Sequence, residues 1–579
     1  MSAACSFSET WIFSTGMFHV LRHYLPNRYV ALDLAFVVCL ISVWLFPQAD
    51  GGLLGTIERL GSRFAKRKRL AILSVALATV LVRAGLLWVS PVPIPRFHDE
   101  FSYLLAGDTF AHGRLTNPPN PMWVFLETIH VNQHPTYMSK YPPGQGLFLA
   151  FGEILGNPWI GVVLSVAGMC AALLWMLQGW LPAAWALLGA VLVLLRLAIF
   201  SYWMNSYWGG AVAAIGGALV VGALPRILRW HRPRDAVILG LGAAILVNSR
   251  PFEGLSLGLP LAAAILIWMF GQRSPSWSVM WRQFILPFAL VAILAGSFVA
   301  YYNWRGTGSA FLMPYAVNER TYSNTPLFIW QKERPPVQYT SPQLQAFYGV
   351  SVHDGWLRSR PDSLSKVGRQ TYSVVKEIVN FFMWPELCLP LLALPWVLRD
   401  RRSQLLIVLS TVCVAASLLG IWFEPHYIAP LTACIFALVV QGARHIRAWK
   451  FRGRQVGIGL VRVMVAFAII GLLVRPPRAI SGPEPPSGLD YRAKFEVQLD
   501  RLPGTQLAIV RYGVNHNVHS EWVYNRADID GAKVVWARDI PGKELKPLLD
   551  YFRGRQVWLV EPDTTPPRMS QYSEPRREQ

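Results

Sequence analysis

Long apolar runs separated by short basic segments make up most of the chain as far as residue 474. Runs of about 18–25 apolar residues have the length needed to cross roughly 30 Å of hydrocarbon. The pattern predicts a polytopic membrane protein that is mainly α-helical, with about twelve transmembrane helices. The predicted spans are Tyr29–Phe46, Leu70–Ser90, Trp159–Leu177, Ala183–Phe200, Gly209–Leu224, Ala236–Asn248, Leu255–Phe270, Phe284–Tyr301, Val374–Leu398, Leu405–Trp422, Tyr427–Val440 and Val456–Val474.

Composition and charge agree with a membrane protein. The 579 residues are 53% hydrophobic and 15% charged, whereas soluble domains carry roughly 25% charged residues. The net charge is +21, but the basic residues lie in alternate short loops, which is typical of loops on the cytoplasmic side. The charge therefore indicates membrane orientation, and we expect no nucleic-acid partner. The basic loops include Arg63–Arg69, Arg226–Arg234, Arg399–Arg402 and Arg444–Arg454.

This orientation leaves three large polar segments outside, namely 91–158, 302–372 and the tail after residue 475. We divide the chain into a transmembrane domain (1–475), a proline-rich linker (476–487) and a small external α/β domain (488–579). In the last domain, 506–511 and 556–561 are strand-like, 543–552 is helical, and the residues after Pro562 are expected to be disordered. We predict a multi-pass protein of the plasma (inner) membrane whose active site and C-terminal domain lie on the extracytoplasmic side.

Two adjacent carboxylates, Asp99 and Glu100, open the first external loop a few residues after a predicted span. The residues that follow have helical spacing, so Asp99 and Tyr103 share a face near the start of a surface helix. A carboxylate at a helix N-terminus is favoured electrostatically without any catalytic role. The same loop holds many other residues of functional type, which favours a site: His98, Asp108, His112, Glu127, His130, His134, Lys140 and Tyr141.

The loop ends on the motif Lys140-Tyr141-Pro142-Pro143-Gly144-Gln145-Gly146, directly before an apolar re-entry at 147–155. The diproline stiffens the backbone. The lysine is expected near headgroup depth, where a lipid phosphate would lie. A snorkelling interfacial lysine explains the same position, so the motif alone leaves both interpretations open.

Taken in order, Asp99-Glu100-x-x-Tyr103, Gly113-Arg114-Leu115 and Lys140-Tyr141-Pro142-Pro143 resemble the first external loop of GT-C membrane glycosyltransferases. By pattern the chain is most similar to the protein O-mannosyltransferases and the lipid A aminoarabinose transferases. Their loop begins with an acidic pair and ends with a lysine or similar residue before a diproline. The match covers most of that loop, and the many-helix layout and external C-terminal domain agree more loosely.

The resemblance implies a sugar donor on a polyprenyl phosphate or pyrophosphate in the membrane. It also implies an inverting transfer to an external acceptor, which is a glycan, a lipid or a protein. By the same resemblance, Asp99 is the general base for the acceptor and Glu100 orients the acceptor or the loop. Lys140 would neutralise the phosphate as it leaves.

The chain departs from the pattern of this group at two points. One tyrosine separates the lysine from the diproline. The late Arg-Tyr pair of the relatives is here Glu424-Pro425-His426-Tyr427. His426 and Tyr427 thus take phosphate-binding positions, although a histidine can be neutral at pH 7.

Two further clusters are candidates for substrate binding. Arg250 and Glu253 lie in a short external turn, where the arginine could hold a phosphate through two parallel hydrogen bonds. An internal Arg250–Glu253 ion pair explains the turn equally well. Arg305 follows the aromatic run Tyr301–Trp304 at the start of the second external loop; membrane anchoring by these aromatic residues is the favoured alternative there. The expected substrate-binding residues are Tyr103, Tyr141, Glu253 and Arg305.

No cofactor is certain from the sequence, and a divalent metal is the one candidate. If a divalent metal is bound, His98 and Asp99 are its expected ligands, with His130 and His134 further along the loop. Some GT-C enzymes bind a divalent cation and others do not.

A transporter or flippase for a lipid-linked or anionic solute is the alternative function. Transporters usually place polar residues at mid-membrane in broken helices and show inverted repeats. Here the polar residues are concentrated in the external loops, and no internal repeat is visible. A scaffold that binds through its C-terminal domain would leave the acidic pair and the lysine motif unexplained. The sequence therefore favours a glycosyltransferase that uses a lipid-linked sugar.

Overall fold

A computed structural model describes residues 31–45, 52–272, 274–474 and 488–573. Most of these residues are helical, and a four-stranded sheet lies near the C-terminus. The predicted fold class, a mainly α-helical polytopic membrane protein with a small C-terminal α/β region, is confirmed. The predicted linker 476–487 lies outside the described residues.

Up to residue 250 the described chain is helical apart from loops and one short hairpin. The elements are α1 (Ala31–Leu45), α2 (Gly52–Ala65), α3 (Lys68–Gly85), α4 (His98–Ala111), α5 (Trp123–Leu126), β1 (Val131–Asn132), β2 (Met138–Ser139), α6 (Pro143–Ile154), α7 (Pro158–Trp180), α8 (Ala183–Leu197), α9 (Gly210–Trp230) and α10 (Pro233–Val247).

From residue 251 to 474 several helices are joined by short π-helical or 3-10 turns. The elements are α11 (Pro251–Met269), α12 (Trp277–Met280), a π-turn (Trp281–Ile285), α13 (Leu286–Thr307), α14 (Pro314–Tyr322), α15 (Pro342–Leu344), a π-turn (Gln345–Val352), α16 (His353–Ser359), α17 (Leu364–Ile378), a π-turn (Val379–Met383), α18 (Trp384–Cys388), a 3-10 turn (Leu389–Ala393), α19 (Leu394–Arg399), α20 (Arg401–Ser417), a 3-10 turn (Ala429–Leu431), α21 (Thr432–Arg447) and α22 (Val456–Val474).

Within the described residues, seven helical stretches are long and apolar enough to cross a membrane. The predicted count of about twelve is not confirmed. The helices α10 and α20 have only 15 and 17 residues, and α3 begins with two basic residues and ends near Arg83. The seven stretches are α7, α9, α11, Trp277–Thr307, Leu364–Arg399, Ala429–Arg447 and α22.

Apolar helices occupy both the inside and the outside of the bundle. In its most apolar window α9 is 78% buried, whereas the stretch Trp277–Thr307 is only 6% buried. Apolar side chains on an exposed helix are stable only when hydrocarbon surrounds them. The chain is therefore a multi-pass membrane protein in which α9 belongs to the core and α13 faces lipid.

The first polar loop (91–158) contains two closely packed helices, α4 and α6. A Cβ atom added to Gly146 would lie 2.7 Å from the Cβ of Ala106, and one added to Gly107 would lie 2.9 Å from the Cβ of Leu149. Glycine at both positions lets the helix backbones approach. This contact fixes the start of α4 beside the lysine motif that precedes α6.

The C-terminal region comprises α23 (Leu489–Arg501), β3 (Gln506–Val510), β4 (Val534–Arg538), α24 (Lys546–Tyr551), β5 (Gln556–Glu561) and β6 (Arg568–Gln571). The strand order is β4-β3-β5-β6, with the first three strands parallel and β6 antiparallel to β5. The disorder expected after Pro562 is wrong for residues 562–573, because Ser570 of β6 pairs with Leu559 of β5.

The C-terminal region packs directly on α4. The ring of Phe101 stacks on the ring of Tyr524 with a centroid distance of 4.1 Å and an interplanar angle of 1°. The backbone N–H of Ala527 donates to the carboxylate of Asp108 over 2.7 Å. These contacts place the C-terminal sheet beside the helix that begins with the acidic pair.

Candidate active site

Asp99 is the second residue of α4, and hydrogen bonds hold its carboxylate from two sides. Tyr141 donates its hydroxyl to Oδ1, and Nδ1 of His98 lies 3.0 Å from Oδ2. Burial raises the pKa of Asp99, but the charge of His98 and the hydrogen bonds from His98 and Tyr141 outweigh it and hold this pKa well below its usual value. Asp99 is therefore ionised at neutral pH, and its side chain remains 26% exposed.

His130 approaches Asp99 from the residue before β1. Its φ angle is 62°, a left-handed conformation that is uncommon outside glycine. Its backbone N–H donates to the hydroxyl of Tyr348 over 3.0 Å, and its Nε2 lies 3.9 Å from Oδ1 of Asp99. Burial and then the charge of Lys140 lower the pKa of His130 well below its usual value. The imidazole is therefore neutral at pH 7.

Three neighbouring residues at the start of α4 and before β1 carry side chains that can ligate a metal ion. One ligand atom each from His98, Asp99 and His130 all lie within 4.8 Å of one another. Two imidazole nitrogens and a carboxylate oxygen suit zinc or another divalent transition metal. The residues present therefore fit such an ion, which would supply Lewis-acid chemistry when bound. The ring of His134 instead packs edge-on against Trp123, with a centroid distance of 4.9 Å.

The carboxylate of Glu100, next to Asp99, is held by three backbone hydrogen bonds. Its Oε1 accepts the backbone N–H groups of Arg96 and Phe97 over 3.0 and 3.2 Å, and its Oε2 accepts that of Tyr207 over 3.0 Å. Burial raises the pKa of Glu100 to about 7, although these three hydrogen bonds lower it. The side chain is occupied by the backbone and ties the start of α4 to the turn before α9.

Lys140 forms an ion pair inside the protein. Its Nζ lies 3.4 Å from Oε1 of Glu319, and the two side chains are 4% and 9% exposed. The ammonium group also lies 4.7 Å from the centre of the Tyr315 ring. A snorkelling lysine keeps its charge in water, so the snorkelling interpretation is wrong. A phosphate at Lys140 would have to share the ammonium group with Glu319.

Arg250 caps the start of α11 and has a different environment. Its guanidinium carbon lies 4.7 Å from the centre of the Tyr427 ring. Within the described part of the chain it has no side-chain hydrogen bond and no carboxylate at ion-pair distance. Burial lowers the pKa of Arg250, but Tyr103 and Glu253 among its neighbours raise it above the usual value. The guanidinium is thus charged, and the predicted alternative of an Arg250–Glu253 ion pair is not observed.

His426 is buried among aromatic residues near Arg250. The hydroxyl of Tyr202 lies 2.9 Å from its Nδ1, and the ring of Trp208 lies 4.9 Å away. Burial and then the charge of Arg250 lower the pKa of His426 well below its usual value. A phosphate near His426 would meet a neutral imidazole rather than a second cation.

The predicted residues from separate parts of the chain meet in one place. The charges of Asp99 and Arg250 both act on the pKa of His426 and on that of Tyr427. The charge of Lys140 acts on His130, which in turn contacts Asp99. The start of α4, the lysine motif and the turns before α11 and α21 therefore form one group of side chains. We call it the Asp99 cluster: Asp99, His130, Lys140, Tyr141, Arg250, His426 and Tyr427.

The remaining predicted substrate-binding residues lie at different distances from this cluster. Tyr103 stacks on Tyr141 with a centroid distance of 4.4 Å, and burial raises the pKa of Tyr103 to about 12. Glu253 is close enough to influence Arg250. Arg305 is exposed near the end of α13. No contact among the described residues joins it to the cluster, so its substrate-binding role stays a prediction.

Sequence reasoning missed residues that the second polar loop and the C-terminal region bring to the cluster. Glu319 and Tyr315 lie on α14 and contact Lys140. His519 of the C-terminal region lies 6.0 Å from His98, measured between ring centroids. Nothing in the spacing of these residues relates them to the first loop, because a tertiary contact alone brings them there.

No family model and no curated protein matches the sequence. Among solved structures, ArnT from Cupriavidus metallidurans bound to undecaprenyl phosphate has a TM-score of 0.45 and 13% identity over 85% of this chain and 92% of that chain. Its apo form has a TM-score of 0.44 and 13% identity over 86% and 93% of the chains. The Archaeoglobus fulgidus oligosaccharyltransferase with Zn and sulfate has a TM-score of 0.44 and 12% identity over 85% and 67%.

Both neighbours are GT-C glycosyltransferases, the group that the motifs of the first loop resemble. With identities of 12–13% and TM-scores below 0.5, these similarities transfer neither an activity nor a residue role to this chain.

Proposed function

We propose that this protein is a glycosyltransferase that moves a sugar from a polyprenyl-phosphate donor to an acceptor activated at Asp99. One observation carries the proposal: an ionised carboxylate, Asp99, shares a cluster with a guanidinium, Arg250, that has no carboxylate partner among the described residues. A general base and a cation that receives a leaving phosphate are the two groups that this transfer needs.

In the proposed reaction, the acceptor's nucleophilic atom attacks the anomeric carbon of the sugar while its proton passes to the carboxylate of Asp99. The bond between the anomeric carbon and the phosphate oxygen breaks, and its electron pair stays on the phosphate. Attack from the face opposite the phosphate inverts the anomeric centre. The hydroxyl of Tyr141 now occupies Oδ1 of Asp99, so the acceptor must replace this donor or use the open edge.

Arg250 is the stronger candidate for the leaving phosphate, and Lys140 is the weaker one. The guanidinium is charged and stacked on Tyr427, and its fork of donors matches two phosphate oxygens. Lys140 already faces Glu319, which compensates part of its charge. Lys140 would then contribute positive electrostatic potential at His130 and Asp99 and would also contact the phosphate.

The membrane supplies the donor and sets the side of the reaction. The polyprenyl chain would lie along lipid-facing helices such as α13, with its phosphate at the ends of α11 and α21. The distribution of basic loops supports an extracytoplasmic position for the Asp99 cluster and the C-terminal region. The acceptor is then an external glycan, lipid or protein.

The test is mass spectrometry of envelope glycans and glycolipids from cells that carry the wild-type protein, Asp99→Asn or Asp354→Asn. Asp354 is an exposed carboxylate of the second polar loop and serves as the matched control. We expect Asp99→Asn to remove one glycosylated product at an unchanged protein level, and Asp354→Asn to leave it. Wild-type products from Asp99→Asn would contradict the proposal. Solute flux in vesicles without any transfer would favour the transporter.

A further inference from the structure

A cavity lies between the first and second polar loops, and no residue of the Asp99 cluster lines it. Its volume is about 180 Å³. The walls come from α5 and the residues that follow it, from the end of α14, and from 338–344 before and within α15. No residue of a candidate membrane span lines it.

Aromatic rings form the fixed walls of this cavity. The hydroxyl of Tyr339 donates to the backbone carbonyl of Tyr322 over 2.9 Å, and the hydroxyl of Tyr322 donates to Glu127 over 2.8 Å. Trp123 lies across from them, half-buried and braced by His134. Three rings that are held in place around a small space can stack on the faces of a flat or chair-shaped ligand.

Polar groups with spare hydrogen-bonding capacity line the same space. Gln133 is only 2% exposed, yet its Oε1 has no hydrogen-bond partner among the described residues. Its Nε2 has one long contact, 3.5 Å, to the carbonyl of Leu126. Buried amide oxygens are almost always paired in folded proteins. Gln133 therefore contributes to the cavity wall an acceptor that has no partner among the described residues.

Glu127 adds a second acceptor to the wall. One carboxylate oxygen accepts the Tyr322 hydroxyl and the other accepts the Thr340 hydroxyl. Each oxygen keeps a second lone pair for a further donor. No lysine or arginine lines the cavity, so the site disfavours phosphate and other anions.

From this lining we infer that the cavity is a saccharide-binding subsite that holds one sugar ring without anionic groups. The C–H faces of the ring would stack on Trp123 and the tyrosines, and its hydroxyl groups would donate to Gln133 and Glu127. Pockets that enclose drug-sized ligands are usually about 300 Å³ or larger, so the smaller volume here suits a single ring.

One aromatic layer separates this subsite from the Asp99 cluster. The ring of Tyr322 stacks on the ring of Tyr348 with a centroid distance of 5.4 Å, and the Tyr348 hydroxyl accepts the N–H of His130. The subsite is thus next to the cluster but on the side made of polar loops. We assign the bound ring to a glycan acceptor, and this assignment alone rests on the proposed transfer.

Saturation-transfer-difference NMR on the full-length protein in nanodiscs tests the subsite without any transfer reaction. The probes are glucose, galactose, mannose and N-acetylglucosamine, with glucose 1-phosphate as the anionic counterpart. We expect at least one neutral sugar to give a signal with the wild type and with Asp99→Asn. Trp123→Ala and Gln133→Leu should each weaken that signal about tenfold, since each removes a stacking or hydrogen-bonding contact.

Trp330→Ala is the matched control, because Trp330 is an exposed tryptophan of the second polar loop. If Gln133→Leu fails to fold, Trp123→Ala and the rim variant Gln338→Ala decide the question. Equal signals from wild type and Trp123→Ala, no signal for any neutral sugar, or a preference for glucose 1-phosphate would overturn the inference. Asp99→Asn leaves the subsite unchanged. If the proposed transfer is wrong, sugar binding should still be observed, so failure of the transfer can be distinguished from failure of the subsite.

Discussion

Lys140 and Glu319 form a buried ion pair at 3.4 Å although 179 residues separate them in the chain. The pair joins the lysine motif of the first polar loop to α14 of the second. It therefore links a candidate phosphate-binding residue to a residue that no motif indicated. The first prediction separates its structural role from its chemical one.

Lys140→Met should lower the free energy of unfolding by roughly 3 kcal/mol, because it leaves Glu319 buried without its closest partner. Arg334, at 3.9 Å from Glu319, keeps the loss at the lower end of the range for such pairs. Adding Glu319→Gln should restore most of the stability, measured by thermal unfolding in detergent. We expect the double variant to keep a raised KM for the lipid-linked donor. Recovery of both stability and donor KM would show that Lys140 has a structural role only.

Arg250→Gln should raise the donor KM by about ten- to a hundredfold, since hydrogen bonds to charged groups contribute roughly 1.5–3 kcal/mol. Arg250→Lys should recover only part of this loss, because an ammonium group lacks the planar fork of donors. The comparison variant is Glu253→Gln, which we expect to have a much smaller effect because Glu253 acts on Arg250 through its charge but forms no ion pair with it. Equal defects in Arg250→Gln and Glu253→Gln would indicate a brace for the turn instead of a phosphate site.

The raised pKa of Glu100 should make the stability of the protein depend on pH. Its pKa is about 7 in the folded protein and about 4.3 in an unfolded chain, so the folded state binds the extra proton between these values. Stability from this group is therefore fully present below about pH 4 and falls as the pH rises to about 7, by roughly 4 kcal/mol. Unfolding temperatures between pH 5 and pH 8 should fall more steeply for the wild type than for Glu100→Gln. Parallel curves for the two proteins would contradict the assignment.

The stacked rings of Phe101 and Tyr524 should contribute to the stability of the contact between the C-terminal region and α4. Phe101→Ala should cost roughly 3 kcal/mol, as for other large-to-small changes at buried aromatic positions, and it also removes the contact between Phe101 and Arg492 at 4.8 Å. Hydrogen exchange should rise in α4 and around Tyr524 but not in α9. Phe311→Ala, at a 97% exposed position, should change neither. Unchanged exchange in Phe101→Ala would mean that other contacts hold the region.

Several parts of the site were predictable from short stretches of sequence. The helical spacing after Asp99 predicted α4, and the lysine motif predicted a stiff entry into α6; Tyr141 of that motif donates to Asp99. The turn with Arg250 was predicted because its polar residues interrupt two apolar runs. Each of these predictions depends on neighbours within a few residues.

Other features of the site and the fold could be recognised only in the folded structure. The sequence presents Asp99 and Glu100 as equivalent acids, but the backbone N–H groups of Arg96, Phe97 and Tyr207 occupy only Glu100. Strand β4 was not among the predicted strands, and its parallel pairing with β3 appears only in the fold. The predicted count of about twelve spans is not confirmed, because hydropathy does not define where a helix ends and only seven described stretches reach the length of a span.

The membrane class, the apolar helices and the local order of the candidate residues could be read from the chain, because periodicity and charge act over one helix or one loop. The folded chain was needed to show which acid is free, which cation lacks a carboxylate partner among the described residues, and that Glu127 and Gln133 line a cavity with Tyr322 and Tyr339. Burial and pairing set these properties, and the partners come from loops that are distant in the chain.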